Sequence, residues 1–305
     1  MAVLKHSRRS FVKLGFRSVF VIGLGNSLTA FPASAFPDMK NNKLSFRFAL
    51  ASDGHWGEIH QPDPNIPALN TEWELHYDNM IAWLNEEKNK NGLDFVIMNG
   101  DLFHDNPAFL PEVKSKLDNL IMPFYVTHGN HDKVDEAIWK KTWNMSFNYV
   151  IEMDESVLLV LNTADEFGWE MGVNKPLYQE LLNWTGELLN LSDGKKNLFI
   201  IMHIPFHDFE KGNAVRPGYS ELIDLFNKQS NLKAVFHGHI HTLDGAYTSG
   251  GKHYFFDSHI AGSWGTAYNG YRIVEVFTSG EILTYQMNPT GQEKVNSDSL
   301  YKPPR

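Results

Sequence analysis

From Lys43 onward, short apolar runs alternate with stretches of helical period. Leu44–Ala51, Phe95–Met98, Phe124–Thr127, Val157–Leu161, Leu198–Met202 and Ala234–Phe236 are compact apolar segments bounded by turn-forming residues, which predicts strands. Between them, Glu72–Lys90, Leu110–Leu120, Pro176–Leu191 and Tyr219–Lys228 repeat their apolar positions at helical spacing. Gly92 stops the first of these helices, and Pro176 suits the first turn of the third. Such alternation predicts βαβ units and a largely parallel sheet. The end of the chain differs. Tyr254–Asp257, Tyr271–Phe277 and Ile282–Gln286 read as consecutive strands, the last two joined by Thr278-Ser279-Gly280. They predict a second, more antiparallel sheet packed on the first, so the fold class is α/β with two mixed sheets. No repeat, low-complexity tract or linker interrupts residues 36–305, which read as one domain.

At 305 residues the chain is long enough for one sizeable core, and 42 % hydrophobic with 21 % charged residues reads as globular. The charge is unevenly placed. The whole chain carries −9, yet residues 1–35 hold Lys5, Arg8, Arg9, Lys13 and Arg17 and no acidic group, so residues 36–305 carry −14. So acidic a body repels a nucleic-acid backbone, and no nucleic-acid partner is expected. There is no cysteine, which excludes disulfides, thiolate metal sites, a cysteine nucleophile and a lipid-anchored bacterial signal. Any metal here must be held by His, Asp, Glu or Asn.

Residues 1–35 read as an address. Ser7-Arg8-Arg9-Ser10-Phe11-Val12-Lys13 resembles the twin-arginine export consensus, followed by apolar Val19–Gly25 and the small-x-small site Ala33-Ser34-Ala35. The resemblance implies passage through the twin-arginine translocase as a folded protein, often with metal in place. Cleavage near Ala35 would then give a periplasmic or secreted bacterial protein. The glycines and Arg17 make a poor spanning helix, so no stable membrane anchor is expected.

Candidate chemistry gathers behind the strands. The first is followed by Asp53-Gly54-His55, the second by Gly100-Asp101, the third by Gly129-Asn130-His131-Asp132. The fifth runs into His203 and the sixth into Gly238-His239-Ile240-His241. Loops beyond the carboxyl ends of parallel strands converge on one crevice, so Asp53, His55, Asp101, Asn130, His203, His239 and His241 are expected to meet there. Carboxylate, imidazole and amide donors without thiolate suit two divalent or trivalent ions. Glycines beside the ligands allow φ > 0 or close backbone approach. His239 and His241, two apart, would share a side if the chain stays extended, each serving one metal.

In this order the blocks Asp53-x-His55, Gly100-Asp101, Gly129-Asn130-His131-Asp132, His203 and Gly238-His239-x-His241 resemble the signature of the calcineurin-like metallophosphoesterases, over Phe46 to about Phe277. The resemblance implies a four-layer α/β/β/α sandwich with its metal site at the strand C-terminal ends. It implies one metal on Asp53, His55, Asp101 and His241 and a second on Asp101, Asn130, His203 and His239, with Asp101 bridging. The ions would be Mn, Fe or Zn, and a hydroxide bridging them would hydrolyse a phosphate ester. His131 would serve the leaving oxygen, oriented by Asp132. His104 stands three residues after Asp101, where purple acid phosphatases carry a metal-binding Tyr, so the chain departs from that branch; it is a candidate substrate contact or a packing residue.

The substrate is open between phosphodiester and phosphomonoester, with nucleotides and cyclic nucleotides among the candidates. The compact chain and the Asp53-x-His55 start resemble the class III cyclic-nucleotide phosphodiesterase branch. Gly100–His104 is also similar to a break-repair nuclease, against which stand the charge of −14 and only four arginines after Ala35. A metal-free binding scaffold of the same fold is the remaining alternative. Of the loops after His203 and Asp257, Arg216 is a candidate phosphate contact and Trp264 a candidate stacking surface, the other reading being a capped turn and a closed core edge.

Overall fold

A computed structural model describes residues 3–5, 42–57, 73–171, 175–192, 194–209, 212–241, 245–260, 269–289 and 293–299. In chain order the elements run β1 (Val3–Lys5), β2 (Leu44–Ala51), α1 (Trp73–Asn91), β3 (Phe95–Asn99), α2 (Leu110–Leu117), β4 (Phe124–Thr127) and α3 (Glu136–Trp143). There follow β5 (Tyr149–Glu152), β6 (Ser156–Leu161), α4 (Lys175–Leu191), β7 (Asn197–Met202), β8 (His207–Asp208), β9 (Ala214–Val215) and α5 (Ser220–Lys228). The chain ends with β10 (Leu232–His237), β11 (Ala246–Ser249), β12 (Lys252–Phe256), β13 (Tyr271–Phe277), β14 (Ile282–Asn288) and β15 (Glu293–Ser299).

Two mixed sheets form, in the orders β1-β5-β6-β7-β10-β12-β11 and β15-β14-β13-β2-β3-β4; β8 and β9 pair separately. Alternation along each central strand builds the layers. Phe46, Phe48 and Leu50 of β2 face Phe199, Ile201 and Phe236 of the opposite sheet in a shared core. Ala49 and Ala51 point the other way, against Tyr77, Met80 and Leu84 of α1 and Trp139 of α3. The seven-stranded sheet does the same, with Leu159, Ile200 and Val235 covered by Leu181 of α4 and Phe226 of α5. The result is the α/β/β/α sandwich. Phe48 stacks on Phe95 at 5.1 Å and meets Phe199 and Phe236 edge-on; truncating so central a ring costs about 3–5 kcal/mol.

The sheets divide differently from the sequence expectation. β2, β3 and β4 run parallel in one sheet, whereas β6, β7, β10 and β12 run parallel in the other. The strand ending near Asp257 thus belongs beside β10, while β13 lies antiparallel to β2. The register explains the second pairing: Val274 meets Phe48 and Val276 meets Phe46, so all four join the inter-sheet core. Residues 6–41, which hold Arg8, Arg9 and Ala33–Ala35, lie outside the described residues, as does Trp264. The backbone of β1 pairs parallel with β5 at the sheet edge. No helix among the described residues is long and apolar enough to cross a membrane.

Candidate metal centre

The loops leaving β2 and β3 are zipped together. Asp53 N–H donates to Gly100 O at 3.0 Å, His55 N–H to Asp101 O at 2.9 Å, and His104 N–H back to Trp56 O at 2.9 Å. To follow this path, Asp53, His55 and Asp101 take φ of 58°, 44° and 50°, and His239 takes 68°. Left-handed backbone at a non-glycine residue costs on the order of 1 kcal/mol or more and persists where surrounding structure enforces it. Four such residues here all aim donor side chains at one volume.

Two triads result. Donor atoms of Asp53, His55 and His241 lie within 4.8 Å of one another, and so do those of Asp101, His203 and His239. The carboxylates connect the triads. Asp101 Oδ2 is 3.0 Å from His203 Nε2 and 3.7 Å from His55 Nε2, while Asp53 Oδ1 is 2.8 Å from His241 Nε2 and 3.8 Å from His203 Nε2. His239 and His241 do fall to different triads, but not through strand alternation: β10 ends at His237 and the chain turns at His239.

Buried hydrogen bonds fix the donors. His203 Nδ1 meets Asn99 O at 2.8 Å, which leaves Nε2 for the cluster. His239 N–H reaches both oxygens of Asp53 at 3.1 Å, Ser52 Oγ donates to Asp53 Oδ2, and His131 N–H donates to Asp101 Oδ1 at 2.8 Å. A Cβ on Gly129 would lie 2.2 Å from Asp101 N and 2.3 Å from Asp101 Oδ1, so only glycine lets the two loops close.

The electrostatics call for positive charge between the carboxylates. Burial works against ionised Asp53, but His241 and His203 outweigh it and hold its carboxyl far below the usual range. Burial likewise opposes a charged His203, yet Asp101 and Asp53 push it up to about 10. Burial, reinforced by His203, takes His239 down to about 3, and burial depresses His55 as well, leaving neutral rings with lone pairs to give. Asn130 Oδ1 is buried without a hydrogen-bond partner among the described residues. Two carboxylates, neutral imidazoles and an orphaned amide oxygen fit a pair of hard or borderline cations.

The other expected residues divide. His131 sits at the rim with its ring stacked on His104 at 4.3 Å, and its Nδ1 meets Asp105 Oδ1 at 3.0 Å. Asp132 does not orient it. The Asp132 carboxylate is fully buried and accepts from the amides of Leu102, Phe103 and Gly129 at 2.8, 3.1 and 2.9 Å, which binds the second and third loops together. Burial tends to raise Asp105, but Lys133 and His131 hold it below its usual value. His104 Nδ1 lies 3.1 Å from His55 Nδ1, so it touches the donor cluster through His55. Arg216 already has partners, Glu170 Oε1 at 2.5 Å and His207 O at 3.4 Å. Sequence reasoning passed over Asp105, Asn99 and Glu170, which belong to no motif and work through backbone or a neighbour.

The model of the family described as "Calcineurin-like phosphoesterase" matches residues 46–243. The chain belongs to the calcineurin-like phosphoesterase family. Among solved structures, a dimetal phosphatase from Danio rerio superposes with a TM-score of 0.64 at 11 % identity, covering 85 % of this chain and 99 % of that one. GAP50, the anchor in the inner membrane complex of Plasmodium, gives 0.60 at 13 % identity over 86 % and 90 %. A purple acid phosphatase from yellow lupin (Lupinus luteus) seeds gives 0.58 at 12 %, over 83 % of this chain and 53 % of that one. At these identities the likeness is one of fold. No curated protein matches the sequence. For a calcineurin-like phosphoesterase, the two triads stand where the fold brings strand ends of both sheets together.

Proposed function

We propose that this chain is an exported hydrolase of small phosphate esters, using water activated between two metal ions. The observation that carries the reading is the pair of adjoining donor triads linked by Asp53 and Asp101, each near a histidine of the other triad, with Asn130 Oδ1 unpartnered among the described residues. Asp53, His55, Asp101 and His241 would hold one ion and Asp101, Asn130, His203 and His239 the other. Two such ions, Mn, Fe or Zn, polarise a phosphoryl oxygen and lower the pKa of a water between them towards neutrality. His131, half-exposed with Nδ1 on Asp105, would give a proton from its other nitrogen to the leaving oxygen. Asp105, itself paired to Lys133 at 2.9 Å, keeps that ring turned. No expected ligand is substituted, which disfavours the metal-free scaffold, and the charge of −14 after Ala35 disfavours a nuclease. The Arg8-Arg9 leader supports export by the twin-arginine route.

Elemental analysis and a hydrolysis panel test this together. Protein reloaded with Mn, Fe or Zn should carry two ions per chain and cleave some member of a set of mono-, di- and cyclic phosphate esters. Asp101→Asn should lower occupancy and turnover in step. A chain that retains no metal and cleaves nothing would be a scaffold.

A further inference from the structure

Phe167 and Trp169 are 67 % and 66 % exposed, the most exposed large apolar side chains among the described residues. They occupy the tip of a short hairpin after β6 that is built to be rigid. Ala164 and Glu170 bridge its base, Met171 N–H donates to Thr163 O at 3.0 Å, and Asp165 Oδ1 accepts from the amides of both Phe167 and Trp169 at 3.0 and 2.9 Å. The hairpin is also fastened to the metal centre at two points. A Cβ on Gly168, between the two aromatics, would lie 2.5 Å from Asn130 O, so the tip rests directly on a ligand loop. Thr163 Oγ1 accepts from Ile204 N–H at 2.9 Å, beside His203.

We propose that this hairpin is the substrate-recognition arm of the centre, and that Phe167 and Trp169 stack on an uncharged planar ring, of nucleoside or aryl type, carried by the phosphate ester. The proposal rests on the phosphoesterase reading above and names its substrate class. Three observations select this occupant. The arm abuts Asn130, so a ring on it belongs to a molecule whose phosphate lies at the triads. The cations nearest the arm are already paired, Lys133 with Asp105 and Arg216 with Glu170, so the arm offers apolar faces rather than a second anion site. Glu166, on the arm itself, and an acidic body disfavour a leaving group with further negative charge. Aromatic side chains held with little freedom to lose stack on such rings effectively.

The test is binding of adenosine monophosphate and of glycerol phosphate to the full chain loaded with Mn, read by rapid mixing before the ester turns over, for wild type and the double variant Phe167→Ala/Trp169→Ala. Wild type should bind the adenosine ester about tenfold tighter or better, the scale of one base–aromatic stack. The double variant should lose that preference while keeping its metal content and its glycerol phosphate binding. Trp169→Phe, which keeps a ring, should retain most of the preference. Equal wild-type affinities, no measurable binding of the adenosine ester, or a variant that loses both ligands alike would overturn the proposal. Absence of hydrolysis across the ester panel would instead count against the enzyme reading, because ring preference is measured here without turnover.

Discussion

His131 Nδ1 lies 3.0 Å from Asp105 Oδ1, while Asp132, next to it in the chain, spends its carboxylate on three buried amides. The two acidic residues therefore fail in different ways when changed. His131→Ala should keep two metals and lower turnover by roughly 10²–10⁴, with a smaller loss on nitrophenyl esters, whose leaving group departs without a proton. Asp105→Asn should lower turnover less and leave the melting temperature unmoved, because Asp105 stands at a solvated rim. Asp132→Ala leaves three amide donors unmet at about 1–3 kcal/mol each, so melting temperature and metal content should both drop. Unchanged kinetics in Asp105→Asn would show that it does not position His131.

Gly129→Ala tests the closeness of the loops. The added methyl meets Asp101 N and Asp101 Oδ1, backbone and ligand rather than a flexible chain end. The loop must withdraw and take Asn130 with it, so metal stoichiometry should fall below two while the protein stays folded. An alanine variant that loads two ions normally would mean that the loops are further apart than the structure places them.

The core strands and the clustered donor residues were legible in the sequence for one physical reason each. Strands buried on both faces read as unbroken apolar runs, as Phe95–Met98 of β3 and Leu198–Met202 of β7 do, and metal chemistry needs particular donors behind particular strand ends. What escaped had neither signal. β11 and β15 have polar sequences at or near the sheet edges, and β5 is only four residues long. α3 is eight residues held by the Asp135 cap and by Trp139 and Trp143 one turn apart, too short for its period to stand out. Partition into two sheets was hidden because a parallel strand reads alike in either, and the pairing of β13 with β2 is settled by contacts far apart in the chain. Asp105 was missed because an orienting carboxylate need only reach a ring nitrogen, which no spacing records.

The export reading makes a separate prediction. Changing both Arg8 and Arg9 to Lys should leave the full-length precursor in the cytoplasm, with residues 1–35 still attached, as shown by fractionation and by mass. Normal export of the wild type in a strain without the twin-arginine translocase would refute the reading.

His207 makes stability depend on acid. It is fully buried beside Phe209 and Tyr254, and neither ring nitrogen has a hydrogen-bond partner among the described residues. Burial lowers it to about 4, against 6.5 for a free imidazole. Between those values the unfolded chain binds a proton that the folded chain refuses, so the contribution is intact above pH 6.5 and is lost as pH falls towards 4. From pH 7 to pH 5 this single group should cost on the order of 2 kcal/mol, since each tenfold difference in proton affinity between the folded and unfolded chain is worth about 1.4 kcal/mol. His207→Phe keeps the ring shape and stacking and has nothing to protonate. Its stability at pH 7 should equal or exceed wild type, because two unpaired polar nitrogens leave the core. Its loss between pH 7 and pH 5, read from denaturant midpoints, should be smaller than wild type by that amount. If both proteins weaken in parallel, the acid sensitivity lies in other groups and His207 is not held neutral by its burial.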